Sequence, residues 1–137
     1  MPHVTGIGET GLYVTDLDRS VRFYQRLFGF MKIVSDDRIC ALRVGAQQVF
    51  LLFKQGGTLK PVRIPGGIIP PHDGQGQNHM AFTIPAAEWS DWENQLHAQG
   101  VAVESTVEWG QGARSLYFRD PDGHLIELAT PGIWDQD

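Results

Sequence analysis

The chain is poor in three things: cysteine, clustered basic charge and long apolar runs. Its single cysteine, Cys40, can close no internal disulfide, so it is read as a small buried hydrophobe. Eleven Lys and Arg against 16 Asp and Glu give a net charge of −5, and the basic residues are scattered. Phosphate binding draws its affinity from concentrated positive charge, so nucleic acid is excluded as a partner. No apolar run approaches the ~20 residues needed to span a bilayer, and "MPHVTGIGETG" has neither a basic n-region nor an apolar h-region. These absences predict a cytoplasmic protein with no membrane partner. What is present is ordinary for a globular chain: 42% hydrophobic and 20% charged residues over 137 positions. That length suits a single compact domain burying roughly two thirds of its unfolded surface.

The periodicities repeat. "ETGLYVTD" (9–16) alternates as a half-buried strand, and "DLDRSVRFYQRLFGF" follows with Val21, Tyr24, Leu27 and Phe28 at helical spacing. Asp16 suits an N-cap and Gly29 a C-cap. Strands are predicted at 30–35, 38–44 and 47–54. The segment 55–76, "QGGTLKPVRIPGGIIPPHDGQG", is rich in Gly and Pro without periodicity, and reads as a mobile linker or lid. Then "QNHMAFTI" reads as a strand, "PAAEWSDWENQLHAQG" as a helix, and 101–108, 113–119 and 124–130 as strands. The chain is therefore α+β, with a βαβββ module at 8–54 and a second at 77–130 joined by the loop. One helix covers only one face of each sheet, so the other face is left for another use.

Alternation says what those other faces carry. In the second module Met80, Phe82, Ile84, Leu116, Phe118, Ile126 and Leu128 lie under the helix. His79, Thr83, Ser115, Tyr117, Arg119 and Glu127 face away. In the first module Leu12, Val14, Cys40, Leu42, Phe50 and Leu52 lie under the helix, leaving Glu9, Tyr13, Arg43, Leu51 and Phe53 outward. Glu127 is the telling residue. It sits in "HLIEL", after an Asp-Pro-Asp-Gly turn, and a carboxylate among apolar neighbours loses several kcal/mol of hydration unless donors or a cation replace the water. On residue chemistry alone, Arg119 or Arg43 would serve as its partner, and His79 would be a core imidazole bonded to backbone.

The motifs "LYVTDLDRSVRFYQRLFGF", "NHMAF" and "SLYFRDPDGHLIEL", with the paired βαβββ order, resemble the vicinal oxygen chelate superfamily, which includes glyoxalase I, fosfomycin-inactivating transferases, bleomycin-binding proteins and extradiol dioxygenases. The resemblance implies a glyoxalase-like fold, with the two modules forming a cupped pair of half-barrel sheets. It implies three metal ligands: Glu9, seven residues before the Asp that opens the first helix; His79, in the "H-x-A-F" setting; and Glu127 on the last strand. Most members have His or Gln where this chain has Glu9, and the glyoxalase-type fourth ligand falls at Leu51, which weakens the isomerase reading. Ser115 and Tyr117 match polar positions near the substrate of fosfomycin transferases.

The expectation is a metal-dependent enzyme, a lyase or isomerase, transferase or dioxygenase, acting on a small oxygen-rich molecule. One divalent ion, Mn, Fe, Ni, Zn or Mg, would sit on Glu9, His79 and Glu127 and chelate two substrate oxygens. Glu9, Glu127 and Tyr117 are the catalytic candidates. Ser115, Arg119, Arg43, Trp109, Phe53 and Tyr13 are the substrate-binding candidates. The rival is a metal-free protein that sequesters an antibiotic-like molecule in an aromatic groove. Two-module members of the superfamily often pair the first module of one chain with the second of its partner, so the resemblance further implies a homodimer with shared sites. His72 reads as an exposed loop residue, although a lid could bring it to the substrate as a fourth ligand or proton carrier. His3 and His97 read as surface residues, and Trp89 and Trp92 as helix packing.

Overall fold

The computed structural model describes residues 1–135. The chain divides into two compact units, Met1–Gln75 and Gly76–Asp137.

The first unit contains β1 (Glu9–Val14), α1 (Leu17–Phe28), β2 (Met31–Ser35), β3 (Ile39–Val44) and β4 (Gln48–Lys54), with sheet order β1-β4-β3-β2. β1 runs parallel to β4, and the other neighbours are antiparallel. Helix α1 starts where the Asp16 carboxylate accepts the Arg19 N–H at 3.1 Å and ends at Gly29, whose φ of 71° is free of strain only without a Cβ. Its buried stripe is Leu17, Ser20, Val21, Tyr24 and Leu27, and the Tyr24 ring meets the edge of Phe50 at 4.9 Å. All six residues expected beneath this helix are buried.

The second unit repeats the plan with β7 (His79–Thr83), α2 (Trp89–Ala98), β8 (Ser105–Gly110), β9 (Ala113–Arg119) and β10 (Leu125–Ala129), in the order β7-β10-β9-β8. β10 is parallel to β7 and antiparallel to β9. The duplication is thus one of strand order and strand direction, as βαβββ twice over requires. Leu116, Phe118, Ile126 and Leu128 are fully buried, whereas Met80 and Phe82 on the edge strand are half-buried.

Three expectations change. The segment 55–76 is not structureless: β5 (Val62–Ile64) and β6 (Gly67–Ile69) form a small antiparallel hairpin within it, and residues up to Gln75 belong to the first unit. Pro65 and Gly66 make the turn between the two strands, and "VRI" and "GII" pair on either side of it. The second helix opens as a 3-10 turn, Ala86–Glu88, with no side-chain cap, so α2 proper begins at Trp89. The strand expected at 101–108 starts at Ser105, since the Val101 N–H caps the Leu96 carbonyl at the end of α2, and Glu104 N–H makes a single cross-strand bond to the Tyr117 carbonyl just before the ladder.

Candidate active site

Glu127 is 6% exposed, so its charge must be met by neighbours. Neither arginine expected of it is the partner. The Ser115 hydroxyl donates to Glu127 Oε2 at 2.5 Å, and Ser115 in turn accepts the indole N–H of Trp109 at 2.8 Å. An ionised carboxylate oxygen only accepts, so the serine's own proton points to Glu127 while one of its lone pairs takes the indole N–H. Trp109 reaches Ser115 because β8 bulges between Glu108 and Gly110, which re-aims the side chain carried there. Ser115 sits diagonally from Glu127 across the β9–β10 ladder, where Glu127 pairs with Tyr117 and Ala129 with Ser115.

The other carboxylate oxygen, Oε1, faces His79 Nε2 at 3.3 Å. The His79 ring is fixed from behind, its Nδ1 2.9 Å from the Leu125 carbonyl. A carbonyl only accepts, so Nδ1 carries the proton and, in the neutral ring, Nε2 presents a lone pair to a carboxylate oxygen. Two acceptors at that distance repel unless a cation, a second proton or a metal ion, lies between them. An imidazole held by its far nitrogen beside a carboxylate is the usual setting of a histidine metal ligand. The donor chemistry of His79 and Glu127 therefore fits a divalent ion.

Tyr117 lies 6.4 Å from His79, ring to ring. Burial first, then the charge of Glu127, hold its phenol above the ordinary value of 10.0, although a hydrogen bond with Ser115 opposes the shift. It is a neutral hydrogen-bond donor at neutral pH. Arg119 is exposed and engaged elsewhere, with Nε 3.1 Å from Glu104 and one terminal nitrogen 3.0 Å from the Gly123 carbonyl. Trp109 is half exposed despite its bond to Ser115.

Glu9 and Arg43 are exposed, and Tyr13, Leu51 and Phe53 half-buried, on the face of the first sheet that α1 leaves open. Among the described residues no three His, Cys, Asp or Glu side chains stand together closely enough to hold a metal ion. His79 and Glu127 form a pair within the second unit, while Glu9 lies in the first. No described helix is long and apolar enough to cross a membrane.

Two features were not read from the sequence. The Trp109–Ser115–Glu127 chain depends on the bulge in β8, whose sequence signal is the glycine pair Gly110 and Gly112, both at positive φ. His72 does lie in a loop, but half-buried rather than exposed, with Nδ1 2.5 Å from the Tyr13 hydroxyl, 59 residues away in sequence. His124 is fully buried, as its place on the helix side of β10 requires, and its Nδ1 accepts the Asn78 N–H at 2.9 Å.

The sequence model of the Glyoxalase/Bleomycin resistance protein/Dioxygenase superfamily matches residues 3–128. The metallothiol transferase FosB of Bacillus licheniformis is 31% identical over 134 residues, covering 97% of this chain and 80% of that protein. The catechol-2,3-dioxygenase of Bacillus subtilis is 27% identical, but the match spans 45% of its length. The crystal structure of a lactoylglutathione lyase from Agrobacterium tumefaciens superposes with a TM-score of 0.86 at 30% identity, covering 97% of this chain and 98% of that one.

Proposed function

The chain belongs to the Glyoxalase/Bleomycin resistance protein/Dioxygenase superfamily and is a metal-dependent enzyme of the vicinal oxygen chelate type, and we propose that it acts on a small oxygen-rich molecule bound through two of its oxygens to a divalent ion held by His79, Glu127 and Glu9. The observation that carries this reading is the His79 Nε2–Glu127 Oε1 contact at 3.3 Å, with the far nitrogen of His79 spent on the Leu125 carbonyl. Two carboxylates and one imidazole are hard to borderline donors that suit Mn, Fe, Mg, Zn or Ni. When bound, such an ion supplies Lewis-acid stabilisation of negative charge developing on a substrate oxygen.

The chain's own residues do the rest. Ser115, oriented by Trp109, holds Glu127 Oε2 and leaves Oε1 on the His79 side. The Tyr117 phenol, kept protonated by its surroundings, donates to a substrate oxygen or to Glu127. Were a ligand carboxylate, Glu9 or Glu127, not engaged by the ion, it could serve as general base. Glu9 reaches the site from a second copy of the chain. Because the relatives are a thiol transferase, a dioxygenase and a lyase, the reaction class is left to assay.

The test is calorimetric titration of chelator-stripped protein with Mn²⁺, Ni²⁺ and Zn²⁺. We expect one site per chain. His79→Ala and Glu127→Ala should each lose at least about tenfold in affinity, since loss even of a ligand's outer-shell partner costs that much, while the circular dichroism of the fold stays unchanged. A wild type that binds none of the three ions, or binding that survives both changes, returns the protein to the metal-free binding class.

A further inference from the structure

The open face of the first sheet is graded from one end to the other. Cross-strand register places Glu9 beside Val49 and Arg43, then Gly11 beside Leu51 and Ala41, then Tyr13 beside Phe53 and Ile39. The charged row and the aromatic row lie four residues apart along β1, about 13 Å at the usual rise per residue. Between them the face is small and apolar.

The aromatic end is a built cluster. Tyr13 and Phe53 stack with centroids 5.3 Å apart, and the His72 imidazole meets the Phe53 ring at 4.7 Å and 79°. Two glycines make room for it: a Cβ at Gly11 would lie 2.5 Å from Phe53 Cε2, and one at Gly74 would lie 2.5 Å from Tyr13 Cδ2. The backbone around His72 is pinned as well. Its N–H donates to the Thr58 carbonyl at 2.9 Å, its carbonyl accepts the Thr58 hydroxyl, and Asp73 accepts the Gly56 N–H at 3.1 Å. His72 is therefore held in place against the sheet.

The proton arrangement follows. Burial, then the charge of Asp73, push the Tyr13 phenol above 10.0, so it keeps a proton that it can donate to His72 Nδ1, the arrangement assigned to the pair. Neutral His72 then carries its own hydrogen on Nε2. No hydrogen bond joins Nε2 to the described residues, and none of their buried side-chain nitrogens lacks a partner, so Nε2–H is open to solvent. Relay of the Tyr13 proton through the imidazole would leave a tyrosinate beside Asp73, which the same charge disfavours. The pair is a fixed donor.

We propose that Tyr13, Phe53 and His72 form a subsite for the uncharged, apolar end of the substrate, with His72 Nε2–H donating to a neutral carbonyl or hydroxyl oxygen and Phe53 and Leu51 taking the apolar flank. Charge selects a neutral group. Asp73 repels an anion at this end, and Arg43 stands at the other end of the face. An amide, ketone or phenol fits, and a carboxylate or phosphate does not. The inference rests on the reading of the open sheet faces as the substrate side, but its test requires no metal.

The test uses metal-free protein, with benzamide and benzoate as shape-matched neutral and anionic probes followed by ¹H–¹⁵N and aromatic NMR. Wild-type His72 should show an acceptor Nδ1 and a protonated Nε2. Benzamide should shift the Tyr13, Phe53 and His72 signals and bind more tightly than benzoate. His72→Phe, which keeps a ring against Phe53, should weaken benzamide about fivefold to tenfold, the worth of one hydrogen bond. Tyr13→Phe should release the tautomer and weaken it less. Benzoate binding as tightly as benzamide, shifts that avoid these three residues, no shift at saturating benzamide, or full affinity in His72→Phe would each overturn the subsite. Failed metal titrations with these shifts intact would overturn only the metal reading.

Discussion

At the scale of single residues, the site rests on Ser115. It is fully buried and satisfies two groups at once, the Trp109 indole N–H and Glu127 Oε2. Ser115→Ala leaves both without that partner. A buried polar group stripped of its hydrogen bond costs about 1–3 kcal/mol, so the midpoint of urea unfolding should fall accordingly with the slope unchanged. Loss of a partner behind a metal-ligating carboxylate lowers metal affinity by about 10–100-fold, which the same calorimetric titration reads. If Ser115→Ala matches the wild type in both measurements, the hydrogen-bonded chain contributes nothing to stability or to the ligand's orientation. The partners of Glu127 also show where residue chemistry misleads. An arginine is the obvious counter-ion from sequence, yet Arg119 spends its guanidinium on Glu104 and Gly123, and a neutral hydroxyl does the work.

At the scale of elements, the β2–β3 connection is set by one aspartate. Asp36 accepts the N–H groups of Arg38 at 2.7 Å and Ile39 at 2.9 Å, and its own N–H bonds the Ile39 carbonyl at 3.0 Å. Burial pushes the Asp36 carboxyl up, but those two hydrogen bonds and the Arg38 charge outweigh it, and the net shift is below the ordinary 3.8. A carboxylate whose folded pKa lies below its unfolded one contributes stability that is complete above the unfolded pKa and is lost as pH falls through the folded one. Asp36→Asn, which keeps an acceptor but no charge, should therefore lose less stability than Asp36→Ala at neutral pH and should flatten the decline below pH 3.8. Chemical denaturation at a series of pH values checks it, and identical acid limbs in wild type and Asp36→Asn would refute it. The hairpin of β5 and β6 shows the limit of local reading. Three-residue strands carry too few residues for alternation to register, and their pairing is decided by the turn that brings them together.

At the scale of the whole molecule, the proposal that Glu9 comes from a second copy of the chain makes a symmetry prediction. Glu9 lies in the first unit, and His79 and Glu127 lie in the second. If sites are shared between two chains, co-refolding Glu9→Ala with His79→Ala should yield mixed dimers in which one site carries both defects and the other is wild type. Such dimers should recover about half of the wild-type metal stoichiometry by the symmetry of a two-fold pair. Verified mixed dimers with no recovered site would show that each site is built within one chain.

The βαβββ order, the caps of α1 and the two faces of each sheet were legible in the sequence, because they depend on interactions within a few residues and on periods of 2 and 3.6. Glu127, Ser115, Tyr117 and His79 were assigned to one face by parity alone. Tertiary structure decided which of them touch. The bulge at Trp109 determines what holds the carboxylate, and the strapping of 72–74 over β1 brings His72 to Tyr13 from 59 positions away. Alternation specifies the side of a sheet on which a residue lies; only packing between distant segments specifies the ångströms between donor and acceptor on which the chemistry depends.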